Sequence, residues 1–246
     1  MMTSGWIKLL RALAVGSSAL LLVSGAVMAQ HEHTPGEPRP EAAQESPIPL
    51  NPAAGDEVGF VYQAFLSPLQ EGGEEEDTPF FVPPQFRSTE PSVGRNERTS
   101  RGHAVIEFEN DLSQATVYLA VENVDPADIV MLHLHCGLPG QLGPIIIDFS
   151  LLGDVQAYME DGLLTVTVHN EDIVAVTEAS DGGLIDGFTL GCPIVPSVPI
   201  EKVRTIAGMQ IIAEAGELYF NLHTAGQVYF GDIRGQFSRV EVPAGE

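Results

Sequence analysis

The sequence predicts an all-β protein, an antiparallel β-sandwich or a barrel-like domain, with one short helix before a C-terminal hairpin. Two observations support this prediction. Apolar and polar residues alternate over several short segments, and glycine, proline, asparagine and aspartate separate those segments. Alternation with a period of two buries one face of a strand, and many short strands of this kind are typical of sandwiches and barrels.

The strand pattern is clearest at residues 104–109. There Ala104, Ile106 and Phe108 alternate with Val105, Glu107 and Glu109. The same reasoning applied along the chain gives eight predicted strands, over residues 58–66, 104–109, 116–121, 129–135, 144–149, 163–168, 219–223 and 231–242.

One segment departs from this alternation. Residues 201–215 carry apolar residues at helical spacing, and Gly216 follows them as a C-cap. We therefore predict a short helix immediately before the strand at 219–223.

The N-terminus has the features of a secretory signal. Lys8 and Arg11 supply positive charge, residues 12–27 are apolar, and a small-residue cleavage site ends at Ala29. We expect residues 1–29 to be a Sec-type signal peptide, cleaved near Ala29, and the mature protein to be secreted or periplasmic. No later run is long and apolar enough to span a bilayer, so the mature chain is expected to have no membrane span.

Composition divides the rest of the chain. Residues 30–57 are rich in proline, glutamate, alanine and glutamine, which predicts a disordered linker. The folded domain is expected over residues 58–242, with an acidic, proline-rich loop insertion at 70–101 and a tail at 243–246.

The chain is acidic, with a formal net charge of -23. Such a chain repels nucleic acid and anionic membranes, and no cluster of lysine and arginine offsets the repulsion. Motifs for phosphate binding, dinucleotide binding or a nucleophile elbow do not occur in the sequence. We therefore expect no nucleic-acid partner, and a non-enzymatic role is favoured over catalysis.

Only two cysteines occur, Cys136 and Cys192. In an exported protein an even pair predicts a disulfide. The alternative is a thiolate metal ligand, because Cys136 directly follows His135.

Four histidines are candidate metal ligands. His133 and His135 are two apart on a predicted strand, so both leave the same face, while Val130, Leu132 and Leu134 point into the core. His223 ends another predicted strand, and three imidazoles would meet if the two strands are adjacent. His103 opens a further strand and is a candidate fourth ligand. Imidazole-dominated sites suit copper, zinc or iron.

A purely structural role is the alternative for these histidines. Each ring could donate to a backbone carbonyl and accept a hydrogen bond from Asn221 or Thr224, which would join two strands without an ion.

Two motifs in the chain carry a resemblance to a known family. Residues 219–224 read Tyr-Phe-Asn-Leu-His-Thr, and 231–236 read Gly-Asp-Ile-Arg-Gly-Gln. Residues 131–137 read Met-Leu-His-Leu-His-Cys-Gly, with Gly-Pro and an aliphatic run after them. In this order they resemble the CHRD domain, a module repeated in chordin and found singly in many secreted bacterial proteins. The motif positions are Asn221, Thr224, Gly231, Asp232, Arg234 and Gly235.

The resemblance covers about residues 58–242 in a single copy and implies the CHRD fold. Two features depart from the family pattern: Asp232 stands where the family usually has Glu, and residues 228–230 replace a Pro-Gly turn. For Arg234, a bond to a ligand carboxylate and a pairing with a nearby acid both fit its chemistry, and the pairing is favoured.

Two functions follow from these observations. The resemblance implies a non-enzymatic extracellular binding module, because CHRD domains in chordin belong to a protein that acts by binding other proteins. Its partner would be an extracellular or envelope protein. The histidines indicate the alternative, a secreted metalloprotein with copper, zinc or iron, which could be a small oxidoreductase.

Overall fold

A computed structural model of the chain describes residues 49–179 and 203–241. The described residues contain nine strands: β1 (Val58–Leu66), β2 (Arg101–Glu109), β3 (Gln114–Glu122), β4 (Ile129–Cys136), β5 (Ile145–Asp148), β6 (Leu163–His169), β7 (Leu218–Thr224), β8 (Ile233–Gln236) and β9 (Ser238–Arg239). They also contain three α-helices: α1 (Val155–Tyr158), α2 (Asn170–Ala179) and α3 (Ile206–Glu214).

The strands form two antiparallel sheets that share one apolar core. The first sheet has the order β6-β3-β2-β1-β9, and the second has the order β5-β4-β7-β8. Ile106 and Phe108 from the first sheet and Leu132 and Phe220 from the second are fully buried in the same cluster. The prediction of an all-β, sandwich-like fold is therefore confirmed.

Strand positions agree closely with the predicted segments, with two differences. A bulge between Ile129 and Met131 turns Ile129 into the core and leaves Val130 36% exposed, so the prediction that Val130 points inward was wrong. The predicted strand at 231–242 is divided: β8 pairs with β7 in the second sheet, and β9 pairs with β1 in the first. This C-terminal segment therefore joins the two sheets.

The helices are more numerous than the sequence indicated. α3 lies within the predicted segment; the Thr205 hydroxyl caps its N-terminus, and Gly216 follows it with a φ of +74°. α2 was not predicted, although Ile173 and Val176 recur at helical spacing and both are buried. α2 packs against β5, at an edge of the second sheet.

The acidic insertion at 70–101 is held against the turn between β7 and β8. The carboxylate of Glu75 accepts hydrogen bonds from the backbone N–H groups of Tyr229 and Phe230 and from the hydroxyl of Ser88. The buried guanidinium of Arg98 donates to the carbonyls of Gly231 and Asp232. Part of the acidic run is thus bonded to the domain rather than solvated.

Some predicted segments fall outside the described residues. These are the signal peptide at 1–29, the linker up to residue 48, the tail at 243–246 and Cys192. The end of the predicted linker is described, and Pro52–Asp56 forms a 3-10 turn. The N–H of Asn110 donates to the carbonyl of Glu57, so ordered structure begins before residue 58. Within the described ranges, no helix combines the length and apolarity needed to cross a bilayer.

Gly231 provides a test of the turn between β7 and β8. Its φ is +106°, and an added Cβ would lie 2.2 Å from Oδ1 of Asn221. We expect Gly231→Ala to lower the free energy of unfolding by about 1–3 kcal/mol, because it introduces backbone strain and a clash. Urea denaturation measures the change.

The matched control is Gly94→Ala, since no described heavy atom lies within 4 Å of the added Cβ. This control is expected to change stability by less than about 0.5 kcal/mol. Equal stabilities of the Gly231→Ala variant and the wild type would contradict the proposed strain.

Candidate metal centre

Three buried histidines lie together on the adjacent strands β4 and β7. In the antiparallel register Met131 stands opposite His223, His133 opposite Asn221, and His135 opposite Tyr219. Side chains alternate along each strand, so the three imidazoles leave the face opposite to the core leucines. Their ring centroids are 5.1, 5.2 and 6.4 Å apart, and one ring nitrogen of each lies within 4.8 Å of the others.

The Nε2 atom of each ring is buried and has no hydrogen-bond partner among the described residues. His133, His135 and His223 are only 3%, 8% and 4% exposed, so these nitrogens are also shielded from bulk water. A buried polar atom without a partner costs about 1–3 kcal/mol. Three such atoms converging on one point are the arrangement that a bound cation would satisfy.

The other ring nitrogen is occupied in two of the three. Nδ1 of His135 lies 3.0 Å from the carbonyl oxygen of Gly143, and Nδ1 of His223 lies 2.9 Å from that of Val228. A carbonyl only accepts, so each Nδ1 carries the hydrogen and Nε2 of the neutral ring carries the lone pair. Hydrogen bonds of this kind orient metal-ligating imidazoles in proteins.

Burial keeps the rings of His135 and His223 neutral. Burial, followed by the neighbouring His133 and His223, holds the pKa of His135 well below its ordinary value. Burial, followed by His133, lowers the pKa of His223 to about 3. Neutral imidazole is the form that ligates a metal.

Asp148 is a functional candidate that the sequence analysis missed. It stands opposite His133 in the pairing of β5 with β4, and its Oδ1 lies 3.6 Å from Nε2 of His133. Burial acts to raise the pKa of Asp148, but His133 and hydrogen bonds from Ser150 outweigh burial and lower it. An ionised carboxylate therefore borders the three imidazoles. The register that brings it there depends on a bulge between Leu134 and His135.

The structure does not bring His103 to this cluster. His103 lies on β2 in the other sheet, where it is exposed and stacks on the ring of Phe65 at 4.6 Å. His103 and Gln63 are also hydrogen-bonded through their side chains.

The position of Cys136 separates it from the histidines. It follows His135 on β4, but it is fully buried in the apolar core on the opposite face of the strand. This position disfavours a thiolate ligand. The disulfide with Cys192 stays a prediction, because Cys192 lies outside the described residues.

Arg234 supports the loop that holds His135. Its buried guanidinium lies 3.5 Å above the ring of Tyr219 and donates to the carbonyls of Leu138 and Gln141. These acceptors are backbone carbonyls, and the nearby acid expected from the sequence is the buried Glu71, which interacts with Arg234 electrostatically. The ring of Tyr219 stacks in turn on His135 at 4.8 Å. Gly143, whose carbonyl accepts from His135, donates its N–H to the hydroxyl oxygen of Tyr219.

The other motif residues build the turn between β7 and β8. Asn221 donates to the carbonyl of Phe230, and the N–H of Gln227 donates to the carbonyl of Thr224. Asp232 pairs with Arg98, and Gly235 allows a close approach to the β1 strand end. Gly231 leaves room for the side chain of Asn221. These contacts indicate that the motif residues stabilise β7, the strand that carries His223.

A pocket of about 390 Å³ borders the three imidazoles and Asp148. Apart from these polar groups, its walls are largely apolar. They include Phe81, Phe86, Leu142, Leu151, Val176 and Val228. The insertion at 70–101 and helix α2 therefore enclose the histidine face of the second sheet.

Arg234→Lys tests the support given by the guanidinium. Lysine keeps the positive charge, but it has no planar guanidinium that can stack on Tyr219 and donate to two carbonyls at once. The carbonyl oxygens of Leu138 and Gln141 would therefore lose hydrogen-bond donors. We expect the free energy of unfolding to fall by about 1–3 kcal/mol in chemical denaturation. Arg239→Lys, on the exposed strand β9, is the control and is expected to leave stability unchanged. Similar losses in both variants would contradict a special role for Arg234.

Comparison with known protein families gives one match. Residues 87–237, more than half of the chain, match the model of the CHRD domain. No curated protein and no solved structure matches the chain. The matched region contains His133, His135, His223, Asp148 and the motif residues. CHRD domains are extracellular-type binding modules. The chain belongs to the CHRD family.

Proposed function

We propose that this CHRD domain binds one transition-metal ion through the Nε2 atoms of His133, His135 and His223. The observation that carries the proposal is the convergence of three buried Nε2 atoms without hydrogen-bond partners among the described residues. Two of these rings already donate their Nδ1 hydrogens to carbonyls, which supports lone pairs on the converging nitrogens. A bound ion would satisfy all three nitrogens.

The donor set supports copper, zinc or iron. Coordination at about 2.1 Å places ligand nitrogens about 3.4 Å apart, so small ring rotations would close the trio around an ion. Three protein ligands leave a further coordination position. Asp148 could fill it or accept a hydrogen bond from a molecule bound there. The acidic character of the chain also favours a cation over an anion.

The proposed site belongs to a protein outside the cytoplasm. The predicted signal peptide and the extracellular character of the family support a secreted or periplasmic protein. The site would serve metal storage or sensing, or the chemistry of a small oxidoreductase.

A protein-binding role is the second candidate, and exposed aromatic side chains in the insertion favour it. Phe80 is 91% exposed and Phe81 is 54% exposed, and their rings contact each other. Exposed aromatic residues are typical of recognition surfaces. The partner would be an extracellular or envelope protein, and this role is compatible with a bound ion.

The decisive experiment is a metal titration of mature protein. Elemental mass spectrometry first measures the metal content of natively secreted protein, and metal-free protein is then titrated separately with Cu²⁺, Zn²⁺ and Fe²⁺. We expect near-stoichiometric binding of one ion per chain. A free ion concentration 100-fold above Kd should also stabilise the fold by about 2.7 kcal/mol.

Two variants and a shared background make the result specific. The triple variant His133→Ala, His135→Ala, His223→Ala is expected to lose the ion, and circular dichroism checks that it remains folded. The exposed pair His103→Ala, His169→Ala is the control and should retain the ion. All proteins carry His31→Ala and His33→Ala, because these residues near the mature N-terminus could capture Cu²⁺ adventitiously.

Two results would contradict the proposal. One is a wild-type protein that stays folded and metal-free after exposure to each ion. The other is equal binding by the wild type and the folded triple variant.

A further inference from the structure

We infer that the pocket beside the three histidines is a binding site for a small, neutral, apolar molecule that carries one metal-ligating nitrogen. The inference rests on the proposed metal site and names the class of ligand that its open position would take.

The volume of the pocket is much larger than the volume of one metal-bound water molecule. Its volume is about 390 Å³, whereas one water takes about 30 Å³ of liquid volume. Sites for small organic molecules range from about 300 to 1,000 Å³. The pocket therefore has the dimensions of a site for a small organic ligand.

The walls indicate an apolar ligand body. Phe81 and Phe86 come from the insertion, Leu142 from the loop between β4 and β5, Leu151 from the turn after β5, and Val176 from α2. Separate parts of the chain thus contribute apolar side chains to one space. An apolar body placed there would be removed from water, which favours binding.

The polar groups indicate the chemistry of the ligand head. The imidazoles and the carboxylate of Asp148 lie close together, with Oδ1 of Asp148 3.6 Å from Nε2 of His133. Among the described residues that line the pocket, none is a lysine or arginine. The ion would then be the only cation facing an anionic head, and Asp148 already balances part of its charge.

A neutral nitrogen donor fits these groups better than a carboxylate or phosphate does. Its lone pair would coordinate the ion without placing a second negative charge beside Asp148. The pocket would then select ligands by two features together, a nitrogen head and an apolar body.

Ligand titrations of the Co²⁺-loaded protein test the inference, because the visible absorption of Co²⁺ changes when its coordination changes. The probes are 4-phenylimidazole, imidazole and phenylacetate. We expect 4-phenylimidazole to bind at least about tenfold more tightly than imidazole, a difference of about 1.4 kcal/mol. Phenylacetate, which has the same ring but an anionic head, is expected to bind more weakly than 4-phenylimidazole.

Pocket variants separate the apolar contribution from coordination. Leu142→Asn and Leu151→Asn each place a neutral polar group in the pocket wall, and both leucines are 46% exposed. Both variants should therefore fold. We expect each to weaken 4-phenylimidazole binding at least fivefold while the affinities for imidazole and Co²⁺ stay unchanged. Leu163→Asn is the matched control, because Leu163 is 61% exposed on β6 and lies outside the pocket lining.

The outcomes distinguish this inference from the metal site itself. Equal affinities for 4-phenylimidazole and imidazole, or insensitivity to both pocket variants, would overturn the apolar site and leave the metal site standing. Tighter binding of phenylacetate would overturn the neutral head. Failure to bind Co²⁺, Cu²⁺, Zn²⁺ or Fe²⁺, measured before any ligand is added, would refute the metal site and the inference together.

Discussion

The pairing of β4 with β7 determines both the apolar core and the candidate metal centre. In this register Leu132 stands opposite Leu222 on the core face, and His133 stands opposite Asn221 on the other face. A slip of one residue would exchange the two faces of the shifted strand, which would bury imidazoles in the core and expose leucines. The hydrophobic free energy that fixes the leucines therefore also fixes the histidines.

The histidine face of the second sheet lies outside the apolar core, and the acidic insertion at 70–101 shields much of it from solvent. Glu75 bonds to the turn that follows β7, and Phe81 and Phe86 form part of the pocket wall. Arg234 and Tyr219 support the opposite side of the centre by holding the loop that contains Gly143. Segments that look like simple connections in composition thus shape the environment of the imidazoles.

The sequence predicted those features that depend on neighbouring residues. A period of two places His133 and His135 on one face whatever surrounds the strand, and it located most strands within a few residues. Features that depend on strand order were harder to predict. His103 begins a strand, as expected, but that strand belongs to the other sheet. Asp148 reaches His133 only through a bulged register, which no local pattern encodes.

The division of the C-terminal segment between the sheets has a consequence for the order of folding. β1 pairs with β9, so the first sheet joins residues near both ends of the described domain. A chain made from its N-terminus can form hairpins early, but it cannot close this sheet until Arg239 is available. His223 also arrives late, nearly ninety residues after His135 by their numbers. An ion that needs all three imidazoles would therefore be acquired by an almost complete domain and not by the emerging chain.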